Sequence, residues 1–393
     1  MKDSIDLSAL VRDNIRRLKP YSSARSEFAG SAEVFLDANE NAFGSPAGNG
    51  YNRYPDPLQK ELKERVAEMN GLDPSQIFVG NGSDEAIDLL FRIFCEPGRD
   101  ECVVCPPTYG MYRVSADIND VAVKEVPLTS DFQLDVDAIL NSVTTNTKLI
   151  FICSPNNPTG NLMRRGDVIS IAEKFRGIVV IDEAYIHFST RKRWTLQAEP
   201  PALAGGKDLA ADQGELASDV SPPAHAASEL TAESFASEMS RLPNIVILQT
   251  FSKAWAMAGL RVGLAFASEQ IIDLMNRVKP PYNVSGIAQQ AVLEALGKRG
   301  EIDAWIGETI GERTRLNNAL VEFEFVQKVH PTDANFLLVA TTNANAIYQY
   351  LVDECIVVRN RNSVAMCEGC LRITVGTAEE NDRLLTSLGN YEG

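Results

Sequence analysis

Leu149-Ile-Phe-Ile-Cys153 runs directly into Ser154-Pro-Asn-Asn-Pro-Thr-Gly160. The first five residues are apolar on both faces, which suits a strand inside a sheet covered on both sides by helices. The next seven contain two prolines and a glycine, residues that fix a turn. In α/β proteins, ligands gather at the carboxyl edge of the sheet, where such turns lie. Similar apolar runs occur at residues 102–105, 121–126, 178–181, 245–248 and 262–266. Between them lie helical patterns. Residues 56–70 place Leu58, Leu62, Val66 and Met69 on one face, with Pro57 in the first turn and Gly71 as the stop. Residues 83–94 form a second, with Ser83 as a cap. The alternation predicts an α/β fold with a mostly parallel sheet.

From about residue 285 the pattern changes. Helical stretches at 285–296 and 302–323 precede a strand at 334–339, a helix at 344–354 and strands at 356–359 and 371–375. This predicts a smaller second domain. Residues 196–228 are rich in Ala, Pro, Gly and acids and lack a sustained apolar period. Such a stretch does not offset its own ordering entropy, and a mobile insertion is expected there.

The chain has 393 residues, enough for two to three domains and a sizeable core. With 53 acidic and 37 basic residues its formal charge is −16, unlike the basic footprint of a nucleic-acid binder. It is equally unsuited to an anionic membrane surface. No apolar run reaches the length of a bilayer span. Residues 1–20 mix acids with bases, which is not the pattern of a secretory signal or transit peptide. Seven cysteines fit reduced thiols in a cytoplasmic protein. Cys102-x-x-Cys105 and Cys367-x-x-Cys370 have zinc-like spacing. The first pair, however, falls in a strand pattern, where residues three apart point to opposite faces. No metal site is expected.

Four stretches carry candidate chemistry. Gly80-Asn-Gly82-Ser83-Asp84-Glu85 is a Gly-rich turn opening a helix, a place where free N–H groups cradle phosphate; it also reads as a tight connection. Ser154–Gly160 can aim Asn157 into a site or serve as a plain turn. Asp182 ends an apolar strand, followed by Glu-Ala-Tyr185. A buried acid there needs a partner, in a site or in a structural ion pair. Thr250-Phe-Ser252-Lys253 follows another strand and precedes Gly259-Leu-Arg261-Val-Gly263. A lysine flanked by hydroxyls and an arginine suits an amine beside a phosphate; alone it reads as a solvated cation.

In this order the four stretches resemble the fold-type-I aminotransferases that use pyridoxal 5′-phosphate, over nearly the whole chain apart from residues 196–228. The resemblance implies a mostly parallel seven-stranded sheet in a large domain, residues 48–284, and a smaller α+β domain, residues 285–393. Residues 1–47 would form an N-terminal arm and part of the small domain. It implies that Lys253 forms a Schiff base with the cofactor and later moves a proton, and that Asp182 faces the pyridine nitrogen. Asn157 and Tyr185 would bond the phenolic oxygen. Tyr109 would stack on the ring, although a core tyrosine is an equally simple reading. Gly82, Ser83, Asp84, Thr250, Ser252 and Arg261 would hold the phosphate.

Leu18-Lys-Pro-Tyr21-Ser-Ser-Ala-Arg25, Leu36-Asp-Ala-Asn-Glu-Asn-Ala-Phe-Gly44, Asn52-Arg-Tyr54-Pro-Asp-Pro57, Pro280-Pro-Tyr-Asn283, Val358-Arg359 and Cys370-Leu-Arg372-Ile-Thr-Val-Gly376 are similar to the histidinol-phosphate aminotransferases. Ala42 departs from that family, which usually has proline there. The resemblance implies amino transfer between L-histidinol phosphate and 2-oxoglutarate, yielding glutamate, in histidine biosynthesis. Arg359 and Arg372 would hold the substrate anion, with Tyr21 over the substrate. Tyr54 would reach the cofactor phosphate of the other subunit in a homodimer. The alternative is a relative with another substrate, such as an aromatic-amino-acid aminotransferase or a threonine-phosphate decarboxylase; the latter shares fold, cofactor and a phosphorylated substrate. A regulatory domain of this fold would need a DNA-binding module, for which the 20 residues before Tyr21 are too few.

Overall fold

Seven strands form one sheet: β1 (Ile77–Asn81), β2 (Glu101–Val104), β3 (Ala122–Glu125), β4 (Thr147–Cys153), β5 (Ile178–Asp182), β6 (Ile245–Thr250) and β7 (Val262–Phe266). The order across the sheet is β1-β7-β6-β5-β4-β2-β3. Strands β2 to β6 are mutually parallel, and β7 runs antiparallel to both β1 and β6. The computed structural model describes residues 5–21, 34–48, 50–189 and 233–392. Residues 196–228, where a mobile insertion is expected, lie outside the described residues.

The central strands are apolar on both faces because both faces are covered. Ile150 and Ile152 of β4 join one core, while Leu149, Phe151 and Cys153 join the other. Cys102 and Cys105 likewise enter different cores, on opposite sides of the sheet. Among the described residues, no cluster of potential ligands is arranged to hold a metal ion, and no helix is long and apolar enough to cross a membrane.

A second sheet is antiparallel, in the order β10-β11-β9-β8, from β8 (Val326–Val329), β9 (Phe336–Thr341), β10 (Arg359–Asn360) and β11 (Cys370–Thr374). The helices Arg299–Leu320, Ala344–Asp353 and Ala378–Gly389 cover it, burying Leu316, Ile347 and Leu388. The last helix starts in a capping box, with Thr377 and Glu380 each bonding the other's backbone N–H.

Two strands escape the periodicity reading. β1 has only Ile77, Phe78 and Val79 before the Gly-Asn-Gly turn, too short a run to stand out. β8 is half exposed and carries Gln327 and Lys328. The first helix also starts later than its pattern predicts, at Lys60 rather than near Asp56. Gln59 adopts a left-handed backbone (φ +50°), and the Asp56 carboxylate accepts from the N–H groups of Leu58 and Lys60. Pro57 therefore lies in a turn before the helix. The second helix starts at Gly82, one residue early, and Asn81 rather than Ser83 sits at its cap. Gly71 ends the first helix in the left-handed conformation, as its lack of a Cβ allows.

Glu183, directly after β5, is buried and fully engaged. It accepts from Ser234 Oγ at 2.7 Å, Phe235 N–H at 2.7 Å and Gln249 Nε2 at 2.9 Å. On the other side of residues 190–232, Arg313 donates to the Phe188 carbonyl at 2.9 Å and to the Ala334 carbonyl at 2.8 Å, while Ser189 Oγ donates to Asp333 at 3.3 Å.

Candidate active site

The carboxyl ends of β4, β5 and β6 deliver Asn157, Asp182 and Lys253 to one cleft. The helix Gly82–Phe94 begins beside them. The cleft opens to solvent. Ser83, Asp84, Tyr109, Asn157, Asp182 and Tyr185 line it, together with Thr250, Ser252, Lys253 and Arg261. Sequence reasoning missed Cys153 and Ala184 in the lining, since each reads as an ordinary strand-end residue.

Asp182 is buried on the floor. Tyr112 Oη donates to its Oδ2 at 2.7 Å, and the Ala184 N–H donates to its Oδ1 at 3.1 Å. Burial nevertheless pushes the Asp182 carboxyl up to about 6. The pair is high in energy as a bare carboxylate and suits a ligand that brings a positive charge to it. Tyr112 also escaped sequence reading. It occupies a core position of the helix Met111–Ile118, stacked on Phe151 with centroids 4.8 Å apart.

Lys253 Nζ lies 5.6 Å from the Tyr185 ring centroid. Burial, then the nearby charges of Arg372 and Arg261, lower its pKa against the opposing pull of Asp182 and Asp84. More of the amine is therefore free near neutral pH, which activates it as a nucleophile and base.

One end of the cleft is rich in donors. Gly82 has φ +73°, and its N–H donates to the Arg261 carbonyl at 2.7 Å. A Cβ on Gly263 would come 2.2 Å from Ser83 N, so only glycine lets β7 press against the helix start. Arg261 Nη1 reaches Ser252 Oγ at 3.4 Å and Nη2 reaches Asp84 Oδ2 at 3.4 Å. The Ser252 N–H donates to Thr250 Oγ1 at 3.0 Å, and Tyr109 Oη donates to Asp84 Oδ1 at 3.2 Å. Hydroxyls, a helix start and a guanidinium together suit a phosphate dianion.

Above the cleft, Arg372 Nη1 makes a short bond to Asn157 Oδ1, and Asn157 Nδ2 donates to Tyr185 Oη at 3.5 Å. Burial raises the Tyr185 phenol. Arg359 pairs with Arg372 across β10 and β11 but is largely exposed. Tyr21 is 75% exposed and outside the cleft lining. Tyr54 is also outside it, stacked on Tyr282 at 4.5 Å in a groove that includes the exposed Tyr51 and Ile287. Lys279 Nζ ties this region together, donating to the Pro57 carbonyl at 2.7 Å and to Asn283 Oδ1 at 3.1 Å.

The family model "Aminotransferase class I and II" matches residues 27–388. A histidinol-phosphate aminotransferase from Parabacteroides distasonis is 48% identical, covering 98% of this chain and 99% of its own. One from Cytophaga hutchinsonii is 45% identical, covering 99% and 100%. Among solved structures, the histidinol-phosphate aminotransferase from Sinorhizobium meliloti, in complex with pyridoxal-5′-phosphate, superposes with a TM-score of 0.70 at 22% identity, covering 89% of this chain and 88% of that one. The one from Clostridium acetobutylicum gives 0.70 at 22% identity, covering 86% and 90%. With its fold, its cleft and a match over most of its length, the chain belongs to the class I and II aminotransferases.

Proposed function

We propose that the protein is a histidinol-phosphate aminotransferase, moving the amino group between L-histidinol phosphate and 2-oxoglutarate with pyridoxal 5′-phosphate as cofactor. The observation that carries this reading is the meeting of Lys253, Asp182 and Asn157 in one cleft, with Arg372 bonded to Asn157, in a chain 48% identical to a histidinol-phosphate aminotransferase.

The residues fit the cofactor. Ser83, Thr250, Ser252 and Arg261, with the helix start at Gly82, would hold its phosphate. Asp182 would face the ring nitrogen, Tyr109 would lie against the ring, and Asn157 and Tyr185 would bond the phenolic oxygen. When bound, pyridoxal 5′-phosphate supplies an electron-poor ring that stabilises negative charge at the substrate Cα.

The chain's own groups do the rest. Asp182, kept ionised by Tyr112, presents a negative charge at the floor of the cleft. Lys253 Nζ, its pKa lowered, takes the proton from the substrate Cα and later returns one. Arg372, with Arg359, binds the substrate anion and fixes its orientation, and Tyr21 would close over it. We also propose a homodimer in which Tyr54 reaches the partner's site, with residues 48–284 as the large domain and 285–393 as the small one. Both substrates are charged metabolites, which fits a cytoplasmic location.

An absorbance titration of the cofactor-loaded protein tests the reading. L-Histidinol phosphate should convert the cofactor band, and 2-oxoglutarate should restore it. Conversion by aromatic amino acids alone, or carbon dioxide release from threonine phosphate, would overturn it.

A further inference from the structure

The ladder that pairs Arg359 with Arg372 continues one step further, because the Arg361 N–H donates to the Cys370 carbonyl at 2.9 Å. Residues two apart on a strand share a face, so Arg361 projects on the same side as Arg359, diagonal to Arg372. That side is the one turned to the cleft. Leu338 of β9 lies opposite Arg372, and Phe336 shares the face with it. The Phe336 ring centroid is 5.1 Å from Arg372 Cζ and 5.2 Å, edge-on, from the Tyr185 ring.

Three guanidinium groups thus crowd one face of a two-strand ladder. Like charges on facing positions repel. Among the described residues, no carboxylate lies within ion-pairing distance of Arg359, Arg361 or Arg372. The Nε atoms of Arg361 and Arg372 are both buried without a hydrogen-bond partner. Burial and the neighbouring arginines lower the pKa of both groups, while the Tyr185 phenol opposes the shift in both. Arg361 therefore belongs to the electrostatic surroundings of the cleft. A cationic cluster with unused donors is stabilised when an anion arrives.

The anion's charge and shape decide which one benefits. A carboxylate offers one charge and two oxygens, which two forks already satisfy. A phosphate monoester carries close to two charges and three acceptor oxygens. We propose that Arg361 is a specificity-determining residue, completing with Arg359 and Arg372 a three-arginine pocket that favours the phosphate of the amine substrate over the carboxylate of the acceptor. This rests on the proposed reading of the cleft as the site for L-histidinol phosphate.

Arg361→Gln and Arg361→Lys, compared with the wild-type holoenzyme, test it. Arg361→Gln should lower kcat/KM for L-histidinol phosphate about tenfold more than for 2-oxoglutarate, mainly through KM. It should weaken competitive inhibition by inorganic phosphate by a similar factor. Arg361→Lys, which keeps the charge and loses the fork, should recover part of both losses. Equal losses for the two substrates, or unchanged inhibition by inorganic phosphate, would overturn the proposal. If wild-type enzyme ignores L-histidinol phosphate but Arg361→Gln still weakens inorganic phosphate binding, the substrate assignment fails and the arginine pocket stands.

Discussion

Tyr112 Oη donates to Asp182 Oδ2 at 2.7 Å, and both residues are buried beneath the cleft. The hydroxyl belongs to the aromatic stack that runs through Phe151 to Phe91, so it is held in place by packing. It stabilises the ionised form of an acid that burial would otherwise neutralise. Tyr112→Phe keeps the stack and removes this donor. Cofactor dissociation should become about ten- to a hundredfold easier, since a hydrogen bond to a charged group contributes roughly 1.5–3 kcal/mol. Equilibrium dialysis against pyridoxal 5′-phosphate measures this, and unchanged retention would refute the positioning role.

Asp182 itself weakens the cofactor-free fold. Its carboxyl is raised from 3.8 to about 6. A raised group contributes stability below its unfolded pKa and loses that contribution as pH rises through the folded value. At pH 7.5 the cofactor-free wild type therefore carries the full penalty. Asp182→Asn should be more stable there by about 1–3 kcal/mol, with the gap closing toward about pH 4. Thermal unfolding of the two apoproteins across pH decides the matter; a variant that is less stable throughout contradicts it.

Lys253→Ala should still take up pyridoxal 5′-phosphate through the donor-rich end of the cleft, and borohydride should no longer fix it covalently. In the wild type, covalent capture should increase with pH and level off earlier than for a free lysine, because the folded pKa is lowered. Peptide mapping after reduction locates the label. Labelling of another lysine to the same extent would displace Lys253 from its role.

Arg372→Ala removes a half-buried cation and the bond to Asn157. The loss of substrate binding energy should be about 2–5 kcal/mol. Steady-state kinetics should therefore collapse while the absorbance of the bound cofactor changes little. Unaltered kinetics would exclude Arg372 from the anion site.

Tyr54 projects beside exposed Tyr51 and Ile287, outside the cleft of its own chain. If it completes the partner's site, Tyr54→Phe and Lys253→Ala subunits, each impaired alone, should complement. A mixed dimer holds one site with both defects and one with neither. Activity should return to about half of the wild-type level per heterodimer. Verified subunit exchange without recovery would disprove a shared site.

Much of the site is legible in sequence because its residues sit where a period ends. Asp182 and Thr250 close unmistakable apolar runs, and Lys253 follows the second by three residues. Other features depend on distant partners that no local pattern displays. Tyr112 looks like helix core until Asp182, 70 residues on, is folded against it. Gln59 delays its helix because its side chain turns back to the Pro57 carbonyl at 3.0 Å and to Asn283. Arg361 was within reach: two residues after Arg359 on a strand means the same face. It becomes informative only once β11 places Arg372 beside them.

Glu183 fastens Ser234, Phe235 and Gln249 to the strand end that carries Asp182, while Arg313 and Asp333 fasten Phe188 and Ser189. The described chain is thus held by polar bonds on both sides of residues 190–232. For protein engineering, Glu183 is therefore a position to leave untouched, since a change in its bonds reaches the acid one residue away.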